Sequence, residues 1–298
     1  GVYCTMRASL APRLVSASLA TRFATASKHG TSLSAASRHT VSDEAWNIWD
    51  ALGMPRPEPG SVNVLARSAD DSRPAAVKAR APLRPLDSGP VLVLFENDRV
   101  RVADFRLPPG GSFHTSHEYA TVRWQVEEGQ HALAGASCES VRDKQVFFLE
   151  PGESWEIRNT GDTVYRQITF ELKRPPRRTE AEVAALLRSA IYSTDVGTEL
   201  LLENRWCRVW DFSFLPGGGA DEDVHHHVLD YVFVFAYPGR LLLSNHDGSP
   251  GLADSINGEN DVTWNEIPDG AASIPTFAHG GRNGLDDRPM REYLVELK

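Results

Sequence analysis

The sequence predicts an all-β protein built from two homologous modules, and three observations lead there. The first is an internal repeat. Residues 94–111 (LFENDRVRVADFRLPPGG) and 201–218 (LLENRWCRVWDFSFLPGG) agree at ten of eighteen positions, without a gap, at an offset of 107. Both copies also close on one tripeptide, Glu171-Leu172-Lys173 and Glu296-Leu297-Lys298. Self-similarity at a fixed period marks a duplicated structural unit. The second observation is a series of short β-branched and aromatic runs punctuated by Gly, Pro and Asn, the pattern of a sandwich or barrel. The third is that helix signals fall only in the connections.

Taken in order, residues 1–42 hold five basic residues (Arg7, Arg13, Arg22, Lys28, Arg38) and no acid. This Ser- and Ala-rich start is expected to be a disordered transit peptide, with Met6 as an alternative initiator and Arg22-Phe23-Ala24 resembling a matrix-protease site. The expected address is the mitochondrial matrix, with plastid or cytoplasm as alternatives. Residues 43–91 read as a short helix, capped by Ser42-Asp43-Glu44 and running to about Leu52, followed by an extended Pro-rich lead-in. Residues 92–173 form the first β module. Residues 174–197 form a linker whose helix starts at Thr179-Glu180-Ala181-Glu182 and runs to about Ile191. Residues 198–298 form the second module, with strands over Arg208–Phe214, Tyr231–Phe235 and Arg240–Leu243 and a hairpin at about 244–261 that the first lacks.

Composition narrows the function. The chain is 298 residues with 41% hydrophobic and 24% charged side chains, which leaves room for two cores. Beyond residue 42 it carries 26 basic against 40 acidic residues, a balance of −14. An acidic body of this kind argues against nucleic acid as the partner, because phosphate contacts need clustered Lys and Arg. No run approaches the length of a membrane span. Three scattered cysteines (Cys4, Cys138, Cys207) give neither a disulfide framework nor a zinc CxxC pair. Cys207 aligns with Val100 in the repeat and reads as a small buried hydrophobe.

The chemistry concentrates at His225-His226-His227, with His279 following 52 residues later. On a strand, alternate side chains share a face. His225 and His227 are therefore expected to point one way and His226 the other, with His279 on a neighbouring strand completing three nitrogen donors. Such a set suits a divalent transition metal with open coordination positions. The alternative is a run of histidines at a polar surface or in the core.

At these residues the chain resembles the cupin superfamily, and its duplication makes it look like a bicupin. Pro216-Gly217, His225-x-His227 and Gly239 match the family's first motif; Gly270, Pro275, His279 and Asn283 match its second. The resemblance covers about 180 of the 298 residues. It implies two jelly-roll, double-stranded β-helix (RmlC-like) barrels, a metal held by His225, His227 and His279, and homodimerisation through sheet edges. Val232 stands where the family carries a glutamate, so a three-histidine site, as in gentisate dioxygenases, is the implied assignment. Asp230, two residues earlier, is acidic. In the first module, alignment of Gly129 with Gly239 sets Thr115 opposite His225 and His117 opposite His227. Trp155 and Asn159 then fall opposite His279 and Asn283. No metal is expected in this module; Trp155, Trp124 and aromatic neighbours are expected to fill its interior.

Two functional classes follow. One is a metal-dependent enzyme, either dioxygenase-like or a Lewis-acid isomerase or lyase, acting on a small carboxylate- or carbonyl-containing metabolite. Fe2+ is the first expectation, with Mn2+, Zn2+ or Ni2+ as alternatives. His226 and Asp230 are candidates for general acid–base work, and Asp230 also for orienting an imidazole. Tyr231, Arg282, Asn283 and Arg291 are candidates for substrate contact. Against these stand structural roles: core packing for Tyr231, turn stabilisation for Asn283 and ion pairing for the two arginines. The other class is a non-catalytic binding or assembly protein with a vestigial site.

Overall fold

The computed structural model describes residues 62–64, 77–79, 89–133, 137–218 and 224–298, with backbone alone at 62–64, 77–79 and 252–255. The expected transit segment and the expected helix from Ser42 to Leu52 lie outside these residues. Two lead-in strands, β1 (Val62–Val64) and β2 (Val77–Ala79), precede the first module. That module contains β3 (Val91–Glu96), β4 (Val100–Leu107), β5 (Ser112–Ser116), β6 (Ala120–Gln125), β7 (Gly129–Leu133), β8 (Glu139–Val141), β9 (Val146–Leu149), β10 (Ser154–Asn159) and β11 (Tyr165–Leu172). A helix, α1 (Glu180–Ser189), leads to the second module. There follow β12 (Glu199–Glu203), β13 (Cys207–Phe214), β14 (Asp230–Phe235), β15 (Gly239–Asn245), β16 (Pro250–Asn257), β17 (Val262–Asn265), β18 (His279–Asn283) and β19 (Met290–Leu297). No helix among the described residues is long and apolar enough to cross a membrane.

Each module is a pair of antiparallel sheets. In the first, the larger sheet has the order β3-β4-β11-β6-β9 and the smaller β5-β10-β7-β8. In the second, β12-β13-β19-β14-β17 repeats the large sheet and is extended by β2 and β1 from the lead-in, while β16-β15-β18 forms the small one. Repeat residues Pro109-Gly110 and Pro216-Gly217 close the turns after β4 and β13. Gly110 and Gly217 hold φ of 73° and 60°, a conformation that a Cβ would strain.

The two large sheets meet face to face. Alternation sends one set of side chains from each large-sheet strand into this seam and the other set into a barrel interior. Val100, Val102, Val122, Trp124, Ile168 and Phe170 of the first module share one buried cluster with Cys207, Val209, Val232, Val234, Trp264, Tyr293 and Val295 of the second. Trp124 lies flat on Tyr293, ring centroids 4.2 Å apart. It therefore fills the seam and not the first barrel, a correction to the sequence reading. The residue sits on the strand face opposite Arg123, and that parity decides its destination. Cys207 is a fully buried seam residue whose thiol burial pushes up to about 12.

Polar contacts across the seam repeat with pseudo-two-fold symmetry. Arg166 bonds Glu259 at 3.0 Å and the Ala236 carbonyl at 3.2 Å. Arg291 bonds Asp143 at 2.7 Å and the Val126 carbonyl at 3.2 Å. Lys144 and Asn260, both with positive φ, occupy matching turns. Lys144 reaches Asp211 of the second module, and Asn260 donates to Asp104 of the first at 2.9 Å. Asp104 and Asp211 are the same position of the sequence repeat.

Helix α1 is set by a capping box. Thr179 Oγ1 accepts the Glu182 N–H, and the Glu182 carboxylate accepts the Thr179 N–H at 2.7 Å. It buries Val183 against Val228, Leu229 and Ala272. The helix stops at Ser189, short of the expected Ile191, because the Ile191 N–H bonds the Ala272 carbonyl instead. Trp124→Ala empties the centre of the seam and is expected to lower unfolding free energy by about 3–5 kcal/mol, read from urea titration.

Candidate metal centre

His225, His226 and His227 do not lie within a strand, as the sequence reading expected. They form an extended approach to β14, fixed on both sides by single bridges. His225 exchanges two backbone hydrogen bonds with His279, N–H to O at 3.0 and 3.1 Å, and the His226 N–H bonds the Ser193 carbonyl at 2.7 Å. A regular ladder gives way here to a bridge with β18 on one side and the linker on the other. The alternation survives the change.

His225, His227 and His279 each offer a nitrogen within 4.8 Å of the other two, a group with the spacing to hold a metal ion. The first two are buried and His279 is half-buried. His226 points away. Its Nε2 lies 3.1 Å from the Ile274 carbonyl and its ring meets Tyr192 edge-on, so it is no candidate for acid–base work at the imidazole cluster.

The carboxylate beside the cluster is Glu296, which sequence reading missed. It lies fully buried on β19, paired in register with Tyr231 and Arg208. Its Oε2 accepts from Arg208 at 3.0 Å and from Trp210 Nε1 at 2.9 Å. Its Oε1 lies 3.5 Å from His227 Nδ1, and neither of these two atoms has a hydrogen-bond partner. Burial pushes the Glu296 carboxyl up to about 7, while Arg208 and Trp210 oppose that rise. Burial, with His225 and Arg208 nearby, holds His227 well below the ordinary imidazole range, so its ring is neutral. The signal was present in the repeated Glu-Leu-Lys tripeptide and the repeated Arg: Arg101 and Glu171 make the same pair at 2.8 Å in the first module.

Tyr231 stacks on His227, centroids 3.7 Å apart and planes 11° off parallel, and lies almost wholly buried with Trp210 and Leu294. Its ring therefore adjoins the imidazole cluster directly. Arg291 is on the seam face of β19, as its equivalence with Arg166 requires. Arg282 is exposed on β18, on the strand face opposite His279. Asn283 closes a turn: its Nδ2 donates to the Arg288 and Leu215 carbonyls at 2.8 and 3.2 Å, and its Oδ1 accepts the Leu285 N–H. Asn159 does the same in the first module, donating to Leu107 and Thr163. Asp230 is likewise on the seam face, bonded to Arg99 at 2.8 Å, Arg177 at 3.0 Å and the Ile267 N–H at 2.9 Å. It orients no imidazole. Val232, in the slot of the implied glutamate, packs in the seam.

Register relates the two barrels directly. Thr115 pairs with Trp155 where His225 pairs with His279. Asn159 pairs with His131 where Asn283 pairs with Leu241. Two facing antiparallel sheets of matching strand order in each module make the decisive observation. This is the cupin fold, present twice.

No family model and no curated protein matches the sequence. Among solved structures, this chain is similar to AerE from Microcystis aeruginosa at 8% identity, over 80% of this chain and 98% of that one, with a TM-score of 0.46. It is similar to the oxalate decarboxylase of Bacillus subtilis, a protein with Mn(II) centres, at 11% identity, over 80% and 75%, with a TM-score of 0.42. A cupin domain from Bordetella pertussis is similar at 24% identity over 28% of this chain and 92% of that one, with a TM-score of 0.27.

Asp230→Ala strands Arg99 in the seam without its carboxylate. It is expected to cost about 3–5 kcal/mol of unfolding free energy in denaturant titration. A solvated catalytic base at that position would leave stability nearly unchanged.

Proposed function

We propose that the C-terminal barrel holds one divalent transition metal on His225, His227 and His279 and acts on a small carboxylate- or carbonyl-containing metabolite. The observation that carries this reading is the convergence of three imidazoles with a buried carboxylate behind one of them. Metal-bound histidines characteristically present their second nitrogen to such a carboxylate, which fixes the tautomer and raises ligand basicity. The unsatisfied pair His227 Nδ1 and Glu296 Oε1 fits that role. An Fe2+ ion would supply dioxygen chemistry at its open positions, whereas Mn2+, Zn2+ or Ni2+ would supply Lewis-acid chemistry suited to an isomerase or lyase.

The protein's own contribution is positional. Tyr231 fixes the plane of the His227 ring by stacking. Arg208 and Trp210 fix the Glu296 carboxylate, which lies 3.5 Å from His227 Nδ1 and would hold a proton there when a metal takes the other ring nitrogen. Phe212, Phe235, Leu241 and Met290 form a buried apolar cluster on the interior face of the same barrel, with Phe233 packed against it. The second reading is a non-catalytic ligand-binding or assembly protein. It draws support from Thr115 and Trp155, which replace two of the three imidazoles in the first barrel.

Metal analysis by mass spectrometry on the purified protein tests the assignment. His279→Ala is expected to lose nearly all stoichiometric metal, while His226→Ala retains it. Glu296→Gln is expected to weaken metal affinity by about 10–100-fold. Substrate-dependent O2 uptake with small keto acids and diols separates iron oxygenation from Lewis-acid turnover. A wild-type protein that binds no divalent metal overturns the enzyme reading.

A further inference from the structure

We propose that the N-terminal barrel is a second, separate binding site, for a small monocarboxylate gripped by the guanidinium of Arg123. The positions that are apolar inside the C-terminal barrel are polar here. Register and the Gly129/Gly239 equivalence place Arg123, Gln125, His131 and Tyr165 where the second module has Phe233, Phe235, Leu241 and Met290.

Arg123 is almost completely buried. Its Nε donates to Gln167 Oε1 at 2.7 Å, and its Nη2 has no hydrogen-bond partner. The guanidinium carbon lies 4.6 Å from the centre of the Phe105 ring and 4.8 Å from that of Trp155. Among the described residues no carboxylate hydrogen-bonds it. The acid that acts on it from a distance, Glu171, is already paired with Arg101. A desolvated cation without a counter-charge is unfavourable, and an apolar side chain of similar volume would serve packing better. The residue therefore calls for an anion from outside the chain.

The neighbouring groups supply neutral donors. Neither ring nitrogen of buried His117 has a partner, and burial together with Arg123 pulls that ring down to about 4, so it is uncharged. Tyr165 Oη accepts from Gln167 Nε2 at 2.7 Å and lies 2.9 Å from His131 Nδ1. Both contacts are satisfied when the phenol donates to Nδ1, which puts the His131 proton on Nε2, an atom with no partner. One positive charge with neutral donors around it balances one negative charge, and the planar fork of Arg matches a carboxylate. A phosphate dianion would leave surplus charge in a dry site. Phe113, Phe147 and Trp155 are only partly buried and pack against the cluster of Phe105, Ile157 and Tyr165 beside Arg123, the side from which a solute would approach it.

Thermal denaturation and calorimetry of the full chain with acetate and benzoate test this, with benzamide and inorganic phosphate as contrasts. The expected result is a concentration-dependent rise in Tm with a carboxylate, absent with benzamide, abolished in Arg123→Met and preserved in His279→Ala. Without ligand, Arg123→Met is expected to melt at or above the wild type, since it removes an uncompensated charge. Should that variant fail to fold, the Met substitution itself has refuted the unpaired-charge argument. Arg123→Lys, which keeps charge but loses the fork, is expected to bind benzoate at least tenfold more weakly. No shift with either carboxylate, a shift that survives Arg123→Met, a response to phosphate alone, or equal benzoate affinity in Arg123→Lys each overturns the proposal.

Discussion

The face-to-face burial of the two large sheets is the constraint on which everything else depends. Each large-sheet strand has two faces, and the seam claims one of them completely. What remains for chemistry is the other face, turned into a barrel. Asp230 and Tyr231 are adjacent in sequence yet serve unrelated ends: one joins Arg99 across the seam, the other lies against His227. Arg291 and Glu292 divide in the same way, as do Trp124 and Arg123. An odd or even position in a strand decides whether a side chain helps hold the modules together or faces a ligand.

The seam also supports the three-imidazole cluster. β14 and β19, whose seam faces are locked by Val232, Val234, Tyr293 and Val295, present Tyr231 and Glu296 on their opposite faces. Tyr231 stacks on the His227 ring, and Glu296 stands 3.5 Å from its Nδ1. Two of the imidazoles, His225 and His227, come from an irregular segment bridged at His225, and the third, His279, from the first residue of β18. Support from rigid strands and ligands from a bridged approach together give a site that is ordered without being closed.

Much of this was legible in the sequence. The repeat, the short strands and the His-x-His with a distant His identify the duplication, the barrels and the three donors, because each rests on periodicity or residue type. The parity of polar residues was harder to read. Asp230 looked like chemistry because it is acidic and close to histidines, yet strand alternation from Tyr231 already places it on the other face. Arg291 looked like a substrate grip, although the repeat relates it to Arg166, and two modules sharing an arginine need a shared structural cause. Glu296 was visible as part of a repeated tripeptide, but nothing local separates a terminal marker from a carboxylate that reaches across the barrel to a histidine nearly 70 positions earlier. Trp155 was read from the motif position and does stand in the first barrel, over Arg123.

The pseudo-two-fold seam has an evolutionary consequence. Two identical subunits meeting through such a surface would receive every substitution in both copies, so a gain in one cavity would be imposed on the other. Tethering the halves in a single polypeptide removes that obligation. One half can keep its imidazoles while its twin carries Thr115 and Trp155 in place of two of them and Arg123 in place of a phenylalanine, provided that the shared contacts at Arg166, Arg291, Asp104 and Asp211 are left alone. Fusion in this chain is what lets two copies of one architecture specialise independently.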